Sequence, residues 1–184
     1  GLTCRGNQSQ VGGGLVLTSC GASTVSGCVV NGNTGQYWGG GLVADASPGL
    51  TVNGNTFHGN SGGGGGGGVY VTNGAATVTK NISAANLGGA SFGNGFAFIG
   101  ATVTPSCNDA FGNQGTAWTG ITDPTGTNGN IAADPRFCDA ATGNFQLQGT
   151  SPCRPENAGA CGQIGALLGS CYAVPVPGDD VVVP

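Results

Sequence analysis

The sequence predicts an all-β solenoid, a chain wound into stacked coils of about 26–27 residues. Three observations carry this reading. A glycine-led apolar segment returns every 27 residues: Gly12-Gly13-Gly14-Leu15-Val16-Leu17, Gly39-Gly40-Gly41-Leu42-Val43-Ala44, Gly66-Gly67-Gly68-Val69-Tyr70-Val71, and the weaker Gly93-Asn94-Gly95-Phe96-Ala97-Phe98. A Thr-Val pair returns behind it at Thr24-Val25, Thr51-Val52, Thr77-Val78 and Thr102-Val103. The composition agrees: 40 glycines, no methionine, 38% hydrophobic and only 7% charged residues, with Val, Thr and Ile set between Gly/Asn clusters.

Residues 1–10 form a lead-in without periodicity. Coils are expected over 11–120. Each opens on glycines, runs into an apolar strand, and continues through the Thr-Val strand. Its steps of 27, 26 and 25 imply that the preceding turn sheds a residue in each later copy. A third short segment holds Val29-Val30, Thr56-Phe57 and Ile82. It ends on the corners Asn31-Gly32-Asn33, His58-Gly59-Asn60 and Ala84-Ala85-Asn86. Helices are excluded, because interior glycines cost about 1 kcal/mol each and no i, i+3, i+4 stripe exists.

Stacking predicts inward columns of Leu15, Leu42, Val69 and Phe96, then of Leu17, Ala44, Val71 and Phe98, on one face of the strand. Val25, Val52, Val78 and Val103 form a third column, with Thr24, Thr51, Thr77 and Thr102 lined up outside. Residues 121–171 read as a cap over the last rung, whose free N–H and C=O groups would otherwise pair with another chain. Residues 172–184 form an extended Pro/Val tail, with Val181, Val182 and Val183 strand-prone.

Gly54-Asn55-Thr56-Phe57-His58-Gly59-Asn60-Ser61, leading into a glycine tract and an aliphatic strand, resembles the coils of right-handed parallel β-helix proteins. That fold is shared by pectate lyases and many bacterial surface proteins. Asp134-Pro135-Arg136-Phe137-Cys138, Gly143-Asn144-Phe145-Gln146-Leu147, Ser151-Pro152-Cys153 and Ile164-Gly165-Ala166 resemble the C-terminal end of secreted bacterial β-helix proteins of unassigned function. The resemblance spans roughly residues 11–171 and implies a fold rather than an activity. In such proteins the tail position often leads to a sorting domain that is cut off.

Eight cysteines, Cys4, Cys20, Cys28, Cys107, Cys138, Cys153, Cys161 and Cys171, lack the close spacing of a zinc site and suit four disulfides in an oxidising compartment. The near-neighbour pairs Cys20–Cys28, Cys138–Cys153 and Cys161–Cys171 are the expected pairings. No basic patch accompanies the net charge of −4, which argues against nucleic acid. No apolar run reaches membrane-spanning length, and a start at Gly1 without a leader reads as a mature exported product.

Chemistry is sparse. In a coiled stack a carbohydrate-cleaving site would show acids at equivalent positions of successive coils, about 4.8 Å apart. Asp45 falls instead between Thr18 and Thr72, and His58 between Asn31 and Ala84, as a solvated corner residue. Asp109, Asp123, Asp134 and Asp139 sit in turn contexts. Asn7-Gln8-Ser9 and Asn81-Ile82-Ser83 match the glycosylation sequon. The seven glycines from Gly62 to Gly68 lack the Lys-Ser/Thr of a phosphate loop. No catalytic, cofactor or metal site is therefore expected. The outward column Val16, Val43, Tyr70 and Ala97 is apolar and reads either as a contact surface or as a face covered by turns or the N-terminal arm. With a lead-in too short to cap the first coil, the expectation is a non-enzymatic subunit of an extracellular filament or surface layer, with itself as partner. The alternative is a monomeric surface β-helix that binds or cleaves polysaccharide.

Overall fold

A computed structural model describes residues 1–89, 93–167 and 169–171. Its strands are two to six residues long, and all but one pair run parallel, each beside its counterpart one coil further on. The result is a parallel β-helix of about four turns. One sheet stacks Thr3–Arg5, Val29–Asn31, Thr56–His58, Ile82–Ala84 and Asp109–Phe111. A second stacks Gln8–Ser9, Thr34–Gly35, Ser61–Gly62 and Leu87–Gly88. The third holds Leu15–Thr18, Leu42–Asp45, Val69–Thr72, Phe96–Ile99 and Trp118–Thr119. The fourth holds Thr24–Ser26, Pro48–Asn53, Ala75–Thr79 and Thr102–Ser106. Each full coil thus has four strands rather than the three read from sequence; the second sheet's two-residue strands carry too little pattern to announce themselves.

The recurrent glycines have a steric cause. A Cβ on Gly14, Gly41, Gly68 or Gly95 would come closer than 3.0 Å to the carbonyl oxygen of the equivalent residue one coil on. Side chains are excluded from that column because successive backbones touch there. The corners differ: residues just before the first-sheet and second-sheet strands adopt the left-handed conformation. Gly27, Gly54, Lys80, Cys107 and Gly129 do so at one corner, and Gly6, Gly32, Gly59, Ala85 and Gly112 at the next.

All of these corners but Gly27, which Cys28 follows, are followed by an asparagine, and the asparagines form two ladders through the interior. In one, the backbone N–H and Nδ2 of Asn7, Asn33, Asn60 and Asn86 each donate to Oδ1 of the next member, ending at Asn113. The other runs Asn55, Asn81, Asn108, Asn130 in the same way, and the Cys28 N–H donates to its first oxygen. Nδ2 also donates to a carbonyl of the preceding coil, as Asn60 does to Val30 and Asn81 to Val52. These bonds satisfy the backbone groups that a tight corner withdraws from both water and the sheets.

The core columns of Leu15, Leu42, Val69 and Phe96 and of Leu17, Ala44, Val71 and Phe98 stand in register. Trp118 closes them, its ring stacked on Phe96 at 4.4 Å. The fourth sheet departs from expectation. Val25, Val52 and Val78 align, but the next residues in their columns are Pro105 beside Val78 and Thr104 beside Thr77; Val103 and Thr102 lie beside Ala76 and Ala75. The step is 27 again, not 25, because the one irregularity is a bulge that places Gly49, at φ +77°, between Pro48 and Leu50.

Residues 121–171 do more than close the end. Ile121 packs on the core, and Asn130 and Ile131 add a partial rung over Asn108 and Asp109. The chain then folds back along the outer side of the first sheet. There Phe137–Asp139 pairs antiparallel with Asn144–Leu147, Leu147 and Ile164 bury Ile82 and Ala84, and Gly143 packs against the Arg5 guanidinium of the first coil. Two disulfides fasten this segment, Cys107–Cys161 and Cys138–Cys171, with Cα separations of 5.5 and 5.8 Å.

None of the three expected pairings forms. Cys20 and Cys28 flank the strand Thr24–Ser26, which holds them apart, and their thiols donate to the Thr18 and Ser26 carbonyls. Cys153 is drawn inward to Asp109, which leaves Cys138 to meet Cys171. Cys4, Cys20, Cys28 and Cys153 are free thiols. Among the described residues no helix is long and apolar enough to cross a membrane.

Candidate functional site

The N-terminal end of the rod exposes what the rest of it buries. Thr3–Arg5, Gln8–Ser9, Leu15–Thr18 and Thr24–Ser26 each pair with a strand on one side only. Leu2 and Val11 are exposed and Leu15, Leu17 and Cys4 half-buried, whereas Leu42 and Ala44 one coil on are sealed. Of the outward column, Val16 is 48% exposed, but Val43 and Tyr70 retain only 4% and 3%. Those two are therefore not surface residues. The glycine turns fold back over them: Gly39 packs on Val43 and Tyr70, Gly65 on the Tyr70 ring, and the Trp38 ring lies 5.6 Å from that of Tyr70. The covering turns come from the repeat itself. Val181, Val182 and Val183 lie outside the described residues.

The other predicted positions resolve as follows. Asp45 does stand between Thr18 and Thr72. His58 does stand between Asn31 and Ala84, but it is not a solvated corner. Its ring packs against Phe137 and Phe145 at 5.7 and 5.0 Å, its Nδ1 is buried without a partner, and burial lowers its pKa. Asn81 of the second sequon is fully buried in its ladder, so only Asn7 of the two is accessible.

Two arrangements had no counterpart in the sequence reading. Asp109 is fully buried, with Oδ1 accepting the Ala133 N–H at 3.0 Å and Oδ2 the Cys153 thiol at 3.2 Å. Desolvation raises its pKa to about 7, the nearby Asp134 carboxylate adding to the effect, and the Cys153 thiol is pushed up by burial and by Asp109. The second is a lateral cleft of about 630 Å³ between the folded-back segment and the rod, bordered by His58, Phe111, Asp134, Arg136, Gln148 and Thr150. The Asp134-Pro135-Arg136-Phe137-Cys138 phrase was its only sequence signal. Among the described residues no three His, Cys, Asp or Glu side chains converge as a metal site would need.

Comparison with protein-family models, with curated proteins and with solved structures returns no match.

Proposed function

We propose that this chain is a secreted, non-enzymatic structural subunit of an extracellular filament or surface layer, joined head to tail through the first coil and the C-terminal tail of a neighbouring copy. The observation that supports it is the first coil's edge, four strands with one side unpaired above a half-open apolar core. An edge of that kind accepts an added strand, gaining main-chain hydrogen bonds along with apolar burial. The tail leaves the described residues at Cys171, which Cys138 pins to the rod's side. Its 13 residues reach about 43 Å when extended. Donation to another copy propagates without closing, which makes a fibre. Disulfides suit the oxidising setting of an exported protein.

Electron microscopy and sedimentation of the full chain beside a version lacking residues 174–184 form the test. The full chain should give regular filaments and the truncated one folded single rods. Filaments from the truncated chain refute strand donation. A full chain that stays monomeric at millimolar concentration refutes the filament.

A second reading, a surface rod that binds polysaccharide, draws on the lateral cleft, where exposed Phe111 stands near Asp134 and Arg136. Saturable binding on a glycan array, lost in Phe111→Ala, would favour it.

A further inference from the structure

On the outer side of the third sheet lies a smaller cavity of about 300 Å³, away from the folded-back segment. Its apolar walls are Trp38, Val11 and Val43, and Asp45 and Thr72 supply polar atoms. Trp38 is 43% exposed, an uncommon state for so large a ring, and it rests on the buried Tyr70 ring at 5.6 Å. Asp45 is half-buried, and Asn73 Nδ2 donates to its Oδ1 at 3.1 Å. The ladder neighbours of Asp45 are Thr18 and Thr72, and the one ion pair among the described residues, Arg154–Glu156, is elsewhere. A carboxylate without a cationic partner therefore shares a cavity with an exposed indole.

We propose that this cavity binds a small quaternary ammonium compound, its methylated head between the Trp38 ring and the Asp45 carboxylate. An indole attracts a cation through its quadrupole, and a carboxylate in the same slot adds charge complementarity. Val11, Val43 and Trp38 offer contacts that methyl groups fill, whereas a primary ammonium would find acceptors only at Asp45 and the neighbouring Thr18 and Thr72 hydroxyls. The cavity lies on the rod's flank and does not depend on the filament reading.

The probe is choline, titrated into the full chain beside its neutral isostere 3,3-dimethylbutan-1-ol and beside butylammonium. Tryptophan emission and ligand-methyl NMR follow the binding; the other tryptophan, Trp118, is buried in the core. Choline should saturate at millimolar concentration and bind about tenfold more tightly than the neutral alcohol, and no more weakly than butylammonium. Asp45→Asn should erase the margin over the alcohol, and Trp38→Leu should abolish the emission change, with the circular dichroism of both variants unchanged. Equal binding of choline and the alcohol overturns the proposal. So does an undiminished margin in Asp45→Asn, tighter binding of butylammonium, or no saturation by choline.

Discussion

Asp109 gives the sharpest test of how the folded-back segment is held. Its carboxyl is fully buried against Ala133 and Cys153, and its pKa rises from an ordinary 3.8 to about 7. Raising an acid's pKa on folding penalises the ionised form. The contribution of Asp109 is thus most favourable below about pH 4, falls as pH climbs towards 7, and is level above that. A shift of about three pH units corresponds to about 4 kcal/mol. Asp109→Asn removes the ionisation and keeps an oxygen for the Ala133 N–H. It gives up the bond from the Cys153 thiol, at about 1 kcal/mol. The variant should therefore be about 0.5 kcal/mol less stable than the parent at pH 4 and about 3 kcal/mol more stable at pH 8, the two curves crossing at about pH 4.5. His58 acts in the opposite sense. Its lowered pKa contributes stability above pH 6.5 that is lost as pH falls, but it does so in both proteins and cancels in the difference. Guanidinium unfolding at intervals from pH 4 to 8 measures that difference. A stability gap that does not change with pH would refute the reasoning.

Three further outcomes are expected. Ala85→Gly should raise stability by about 1 kcal/mol, read as a higher thermal midpoint, since Ala85 holds φ +54° where Gly32 and Gly59 stand in other coils. Asn81→Asp should cost at least about 3 kcal/mol in chemical denaturation, because it turns donors towards the Val52 carbonyl and Asn108 Oδ1 into acceptors. Replacing Cys107 and Cys161 together by serine should cost about 4 kcal/mol, the chain-entropy value for a separation of 54 residues, measured by denaturation under non-reducing conditions.

Four of the third sheet's five strands were legible because large residues recur there at constant spacing, so that Leu15, Leu42, Val69 and Phe96 have a single sensible alignment; Trp118–Thr119, 22 residues after Phe96, broke the step and was missed. The fourth sheet was not legible. Thr102-Val103-Thr104-Pro105 alternates in a way that fits two registers two residues apart, and only the backbone path from Ile99 chooses between them. The asparagine ladders left a readable trace, Asn33, Asn60 and Asn86 at steps of 27 and 26, but it passed for generic corner composition. Burial of Val43 and Tyr70 was hidden because it depends on how far a glycine turn folds back. The disulfides, the Asp109–Cys153 contact and the lateral cleft were hidden for a related reason. Each joins residues far apart in sequence and appears only once the segment after Ile131 turns down the rod instead of across its end.

That turn has a mechanical consequence. A bare stack resists tension along its axis one coil at a time, and a pull on its ends peels the outermost rung first. Here a second member lies alongside, clipped at Cys107 near one end and resting on Arg5 at the other, with its aromatic pair Phe137 and Phe145 set against His58 midway. A load between first and last coil is shared between the hydrogen-bonded stack and this strut, so peeling the last full coils means detaching the strut from them. Reduction of Cys107–Cys161 would release its upper fastening, leaving a rod that frays from that end under forces the oxidised protein withstands.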